Sequence, residues 1–455
     1  MPGWLKAGLL AALVVGICWG GAISYWRAND HAPGTTDLVL YLLALPLALI
    51  MASGFARTRI AKPAATPAES TTPHAAPAIN TLPPLAVVAA ALRLPHGDSP
   101  EELSAAIADN KARADLDPEL VDEDGFPVMT ARSSDAVDEA LQEEITEWWT
   151  TNGVAQPNLN DEQWRAITMA TAVAGELASS AASDLMPAAG VPPMLHVLPI
   201  LPHAWPIGQR RAAALWIKHT VAQFGWPPAC VLLAEEKQGA SSASTPEAML
   251  GRLAQEATNG APLVALMVAC ASHIGEESVA RWEDSGSLFT SSQPRGQTPG
   301  EGAAGLLLTD LQQARSLDGV IFTLLDPMAE ARRNISADET RRTDSALITE
   351  LAGRALKNAG LKLTDVAVIV ADTGHRSNRV SELMEFASGA MPQLDDAADV
   401  VRVGAASGTC DSVPFMAALA LGRHYALERA APVLCLSNED PHQLCAVVIR
   451  PYASA

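Results

Sequence analysis

The chain has 455 residues and carries 51 acidic against 31 basic side chains, a formal charge of −20, yet it is 49% hydrophobic and only 18% charged, with a mean hydropathy of +0.13. The acid surplus excludes a nucleic-acid binder, which needs a basic footprint. Six scattered cysteines without CxxC spacing exclude a disulfide scaffold and give no zinc signature. A positive hydropathy with so few charges calls for membrane-spanning segments or a very large buried core.

The first elements in chain order answer that demand. Ala7 to Trp26 is a run of 20 uncharged residues between Lys6 and Arg27, and Leu38 to Ala56 is a second of 19 between Asp37 and Arg57. Each is long enough to cross a hydrocarbon core of about 30 Å as a helix. Trp4, Tyr25, Trp26 and Tyr41 stand near the ends of the runs, where interfacial aromatics belong. The first run exceeds the apolar region of a signal peptide, and a second follows within a dozen residues. Lys6 lies before the pair and Arg57, Arg59 and Lys62 after it, so the positive-inside rule puts both termini and the large domain in the cytoplasm. That compartment suits unpaired cysteines. Residues 61–84 are rich in Pro, Ala, Ser and Thr without an apolar period, the composition of a tether.

From residue 85 the pattern is that of an α/β protein. Leu85–Leu94 is apolar throughout, as a strand buried on both faces requires. Ser99-Pro100-Glu101-Glu102 opens a helix, with a cap, a first-turn proline and first-turn acids. Residues 115–135 are acidic and contain Gly and Pro, and read as an inserted loop. Helices are expected at 136–150 and 161–183, then strand 194–201, helix 207–225, strand 229–235, helix 244–258 and strand 262–270. A short helix at 275–285 precedes a strand at 302–309. The second half reads strand 319–326, helix 337–359, strand 364–371, helix 377–391, strand 399–403, helix 409–427 and strands 431–436 and 444–450. That order is βαβαβαββ, and the first half takes it too if 275–285 is an insertion. Two such halves, 85–310 and 311–455, give a pseudo-duplicated αβαβα sandwich.

Four stretches then resemble the β-ketoacyl synthase branch of the thiolase superfamily: AALRLPHGDSPEELSAAIADNKA (90–112), TPGEGAAGLLLTDL (298–311), DVAVIVADTG (365–374) and VGAASGTCDSVPFMAALAL (403–421). The resemblance covers the chain from about Leu85 to Pro451, and the second stretch, similar to the family's GEGAAxLVLE hairpin, is the most specific. It implies a Cys nucleophile at a helix N-terminus and two His, or His and Asn, serving the carbonyl oxyanion and decarboxylation. The nucleophile position falls on Ala243, with Ser241, Ser242 and Ser244 beside it. The first His position falls on Asp372. The second falls on Arg402, or on Val401 with a one-residue gap. All three catalytic positions are thus replaced, and no enzyme activity, cofactor or metal is expected.

Other residues offer chemistry of their own. Cys230 opens a strand and reads as core. His375 could reach a pocket, but its polar loop favours the surface. Cys410 stands where a helix dipole could lower its pKa, although no His or Asn is expected beside it. Ser242 with His375 would make a hydrolase pair, but GASSAS is not a nucleophile elbow. Asp372 with Glu301 would make a carboxylate pair, though Glu301 belongs to the hairpin motif. Glu143, Glu144 and Glu147 share a helix with Trp148 and Trp149, an amphipathic surface or a docking face. Neither GxGxxG nor a P-loop is present, and the Asn334-Ile335-Ser336 sequon would go unused in the cytoplasm.

A membrane-anchored, catalytically inactive thiolase-like protein would act through protein partners. The chain resembles thiolase-like accessory proteins encoded beside type VI secretion spike and effector genes in Gram-negative bacteria. That resemblance implies an adaptor at the inner membrane, binding an effector or spike component. It also implies a homo- or heterodimer through the thiolase-type interface. The rival expectation is a non-catalytic, chain-length-factor-like or weakly active partner of a β-ketoacyl synthase in lipid or polyketide synthesis.

Overall fold

In a computed structural model of the chain, β1 (Leu85–Arg93) is the apolar run that the sequence predicts, and it faces two cores. Val87 and Leu92 pack to one side, Val88 and Ala91 to the other. The structure describes Trp19 and residues 82–187, 190–234, 245–317, 319–339 and 344–452. The spans expected at 7–26 and 38–56 and nearly all of the 61–84 linker therefore lie outside the described residues, as do Ser241, Ser242, Ala243 and Ser244. Among the described residues no helix is long and apolar enough to cross a membrane.

Local chemistry sets the next elements. α1 (Pro100–Ala108) begins at Ser99, whose hydroxyl accepts from the Glu102 amide, with Pro100 in the first turn. The stretch expected to be an inserted loop instead folds as a hairpin, β2 (Asp115–Val121) against β3 (Pro127–Thr130). Its acidic composition hides the strands. What holds them is Asp117, which accepts from the Thr130 hydroxyl at 2.6 Å, from two nitrogens of Arg132 at 2.9 Å, and from the Glu119 and Leu120 amides.

The remaining elements of the first half are α2 (Glu139–Thr151), α3 (Asp161–Asp184), β4 (Leu195–Ile200), α4 (Ile207–Gln223), β5 (Val231–Leu233), α5 (Pro246–Ala257), β6 (Val264–Ser272), α6 (Glu276–Asp284) and β7 (Glu301–Asp310). The turn α7 (Leu311–Arg315) leads to β8 (Thr323–Leu325), β9 (Ala329–Arg332), α8 (Ala346–Ala359), β10 (Val368–Ala371), α9 (Ser377–Ala390), β11 (Val400–Arg402), α10 (Val403–Ser407), α11 (Val413–Glu428), β12 (Val433–Ser437) and β13 (Gln443–Pro451). Several boundaries differ from expectation; β8 and β10 both begin four residues late, and two helix starts have a visible cause. The helix expected from 337 begins at Ala346, because the preceding segment bonds across the sheet: the Arg333 and Ala337 amides donate to the carbonyls of His442 and Pro441. The helix expected from 409 begins at Val413, after Asp411 adopts the left-handed region at φ 49°.

The strands form one continuous sheet path, β11-β10-β12-β13-β8-β1-β7-β6-β4-β5, with β9 added to β13. Within each half the order is the same: third, second, fourth, fifth, first. In each, the fifth strand is antiparallel to its neighbours, and the first strands of the two halves, β1 and β8, pair antiparallel at Ala86 and Leu324. The duplication is therefore written into the hydrogen-bond topology.

Side-chain alternation then builds the layers. Along β6, Val264, Leu266 and Val268 join the core beneath α2, α3 and α4, while Ala265, Met267 and Ala269 join a central core with α5 and α11. Along β13, Cys445, Val447 and Ile449 face that central core, and Leu444, Ala446 and Val448 face α8 and α9. The result is five layers, helix–sheet–helix–sheet–helix. α11 is buried on all sides between the sheets, so it carries no polar stripe. Its Arg423 donates to the Val87 and Val88 carbonyls where β1 bulges against β7.

Candidate functional site

The two positions implied to be catalytic in the second half come together. Asp372 follows the end of β10, and Arg402 ends the neighbouring parallel strand β11. The turn after Arg402 presses on the Asp372–Gly374 backbone so closely that a Cβ at Gly404 would lie 2.1 Å from the Asp372 carbonyl oxygen. Only glycine fits there. Arg402 reaches toward the Gly374 carbonyl at 3.5 Å. The first turn of α5, capped by Thr245, approaches the same region: Cys445 on β13 feels the carboxylates of Glu247 and Asp372 together, after burial has already pushed its thiol well up.

The side chain at the first of these positions is taken up by hydrogen bonds to its own fold. Oxyanion stabilisation needs hydrogen-bond donors aimed at the developing charge. Asp372 has both oxygens engaged, one by the Ser437 hydroxyl at 2.6 Å, the other by the amides of Asn438 at 2.8 Å and Glu439 at 3.2 Å. Burial pushes its carboxyl up to about 7, against these three bonds and with the Glu439 charge adding to the rise. Asp372 therefore ties the end of β10 to the β12–β13 turn.

Around it runs a network that no sequence motif announced. Arg376 donates to Glu439 at 2.7 Å and Asp338 at 3.1 Å, and Arg379, fully buried, donates to Asp338 at 2.7 Å. Arg333 pairs with Glu382, and Asn438 joins Thr373, Glu382 and the Arg379 carbonyl. Its members come from three separated segments, 333–338, 373–382 and 438–439, so linear spacing carries no trace of it.

The other candidates separate. His375, for which the surface was favoured, is half-buried. Its ring stands edge-on to Phe289 with centroids 4.7 Å apart, its Nδ1 lies 3.3 Å from the Thr298 hydroxyl, and its buried Nε2 has no hydrogen-bond partner. Burial lowers its pKa, with the Glu439 charge opposing. Cys410 is completely buried in the central core and three residues short of α11. Burial, then the Asp411 charge, push its thiol well above the ordinary range, the opposite of dipole activation. Cys230 is buried ahead of β5.

Glu301 is fully buried and gripped by Arg165 through both carboxylate oxygens, by the Ser133 amide and by the Ser272 hydroxyl. No lone pair is left for a carboxylate pair with Asp372. A triad-like line joins Asp411, His273 and Ser278 at 3.2 and 3.3 Å, but the Ser278 hydroxyl is wholly buried and donates to Glu162 at 2.8 Å. It is a structural knot and not a nucleophile. Among the described residues no cluster of His, Cys, Asp and Glu is arranged to hold a metal ion.

No family model matches the chain, and no curated protein does. Solved structures do. The ketosynthase domain OzmH KS7 of the oxazolomycin system of Streptomyces albus JA3453 superposes with a TM-score of 0.55 at 13% identity, covering 82% of this chain and 76% of that one. The fold is thiolase-like. The ishigamide ketosynthase/chain length factor gives 0.54 at 13% identity, with 82% of this chain and all of that chain covered. A type II polyketide synthase ketosynthase, AntDE, in complex with the acyl-carrier protein AntF gives 0.55 at 13%, with 81% and 100% covered. At these identities the likeness speaks for the fold, and the thiolase-like expectation drawn from the four motifs is met at that level.

Proposed function

We propose that this chain is a non-catalytic thiolase-like subunit that partners a β-ketoacyl synthase, as a chain-length factor does. The observation that carries the reading is Asp372, a carboxyl with both oxygens consumed by structural hydrogen bonds, standing beside Arg402 at the positions where the sequence resemblance implies catalytic histidines. The five-layer core is kept intact around these replacements, which is what a subunit retained for its surface requires. Support for the partner comes from the similar structures, one named as a ketosynthase/chain length factor and one as a ketosynthase in complex with its acyl-carrier protein. Membrane attachment through 7–26 and 38–56, with the large domain facing the cytoplasm, is part of the proposal and rests on the sequence.

Purification of the detergent-solubilised chain from its host tests this reading. A catalytic ketosynthase or acyl-carrier protein should come with it, and cerulenin should label the partner's cysteine and no cysteine of this chain. Covalent capture on this chain would overturn the non-catalytic reading. A secreted effector or spike protein in place of synthase components would overturn the partner and restore the type VI adaptor.

A further inference from the structure

A cavity of about 610 Å³ opens in the outer helical layer of the first half, lined by α3, α4 and the start of α2. It is separate from the Asp372–Arg402 region, since none of its lining residues comes from the second half. Its size is that of a small-molecule site, roughly 300–1,000 Å³.

Charge sets what it could hold. Five carboxylates line it, Asp98, Asp135, Asp138, Glu144 and Glu176, against the single cation Arg93. Arg93 is already committed: its Nη1 donates to Glu176 at 2.9 Å and to the Leu92 and Asp98 carbonyls. Asp138 caps α2 by accepting from the Leu141 amide. Asp98, Asp135 and Glu144 have no ion-pair partner among the described residues. Burial raises the Asp98 carboxyl, Arg93 opposes this, and Asp135 adds to the rise. These carboxylates are spread along the walls, and among the described residues none converge as metal ligands.

A second observation is independent of charge. Thr168 lines the cavity, is only 6% exposed, and its hydroxyl has no hydrogen-bond partner. Buried hydroxyls are normally satisfied, so an orphan beside a cavity marks a place where a ligand or water donor belongs. The apolar lining comes from Leu141, Met169, Ala172 and the exposed ring of Phe224, with Trp216 almost wholly buried. Phe224 can lie there because position 175 is glycine: a Cβ would sit 2.9 Å from its ring.

We propose that this cavity binds a linear aliphatic polyamine. Its ammonium groups are donors without acceptors, matched to the carboxylates of Asp98, Asp135 and Glu144 and to the acceptor oxygen of Thr168. Its methylenes lie against Leu141, Met169 and Phe224, and the Phe224 ring face also attracts the ammonium charge.

Calorimetry on the detergent-purified full chain tests this with spermidine, Mg²⁺ and uncharged 1,8-octanediol. Spermidine should bind saturably at one site, and neither control should. Asp98→Asn with Asp135→Asn should weaken binding at least ten-fold. Ala172→Trp, at an exposed lining position, leaves the charge unchanged and should abolish binding by filling the space. Glu385→Gln with Asp396→Asn, exposed acids on the second half, should change affinity less than two-fold. Multi-site or unsaturable binding, an equal loss in the remote pair, an unaffected Ala172→Trp, or Mg²⁺ binding in competition would each overturn the proposal.

Discussion

Asp372, at a position where the ketoacyl-synthase resemblance implies a catalytic His, is held by structural hydrogen bonds. A carboxyl raised to about 7 binds its proton more tightly in the folded chain than in the unfolded one, where the ordinary value is 3.8. Between these values the folded state holds more protons, so this residue's contribution to stability falls as pH rises from about 4 to about 7 and is level beyond. Asn at this position keeps an acceptor for the Asn438 and Glu439 amides and removes the buried charge. Asp372→Asn should therefore raise the melting temperature at pH 8, with the gain shrinking toward pH 5, in thermal unfolding followed by circular dichroism. A variant less stable than the parent at pH 8 would show that the ionised carboxylate holds the turn. Glu301 makes the complementary point, since its charge is fully matched by Arg165 and ties α3 to β7.

The β2–β3 hairpin is the element whose existence depends most on a single side chain. Burial alone would raise the Asp117 carboxyl, but Arg132, Thr130 and the Leu120 and Glu119 amides outweigh it and hold it at about 2. A depressed carboxylate stabilises above its unfolded value and loses that contribution as pH falls from about 4 to about 2, here about 2 kcal/mol. Hydrogen exchange should show the 115–130 amides losing protection in that window before those of β6 and β7. Asp117→Asn should expose the same amides at pH 7, because Asn cannot form the two-pronged pairing with Arg132. The hairpin's Leu120 and Val128 pack with Trp282 of α6, so that helix should loosen with it.

At the scale of the whole molecule, two halves of identical strand order share one central core, and α11 lies within it. Such a fold is expected to unfold as a unit. The orientation proposed from the basic residues flanking 7–26 and 38–56 is checked at this scale. A cytoplasm-active reporter fused after Ala455 should function and an export-dependent one should not; the reverse would move the domain to the other side of the membrane. In the proposed cytoplasmic orientation the −20 charge would face the anionic leaflet from the tether's end and be repelled by it.

By itself the sequence determined the strands buried on both faces and the thiolase-like order. Runs such as Val264–Ser272 and Glu301–Asp310 have no polar face to expose, and strand–helix alternation then leaves few ways to cover them. It also determined which residues stand at Asp372 and Arg402, because motif position is a linear property. The tertiary structure alone decided what those residues do. The β2–β3 hairpin and β9 hide in polar segments, where a partner strand supplies the stability that composition does not. The half-buried His375, the Arg376–Arg379–Glu439 network and the carboxylate-lined cavity arise from residues distant in the chain. Charge pairing, burial and an unmade hydrogen bond are properties of neighbours in space, and only the folded chain assigns those neighbours.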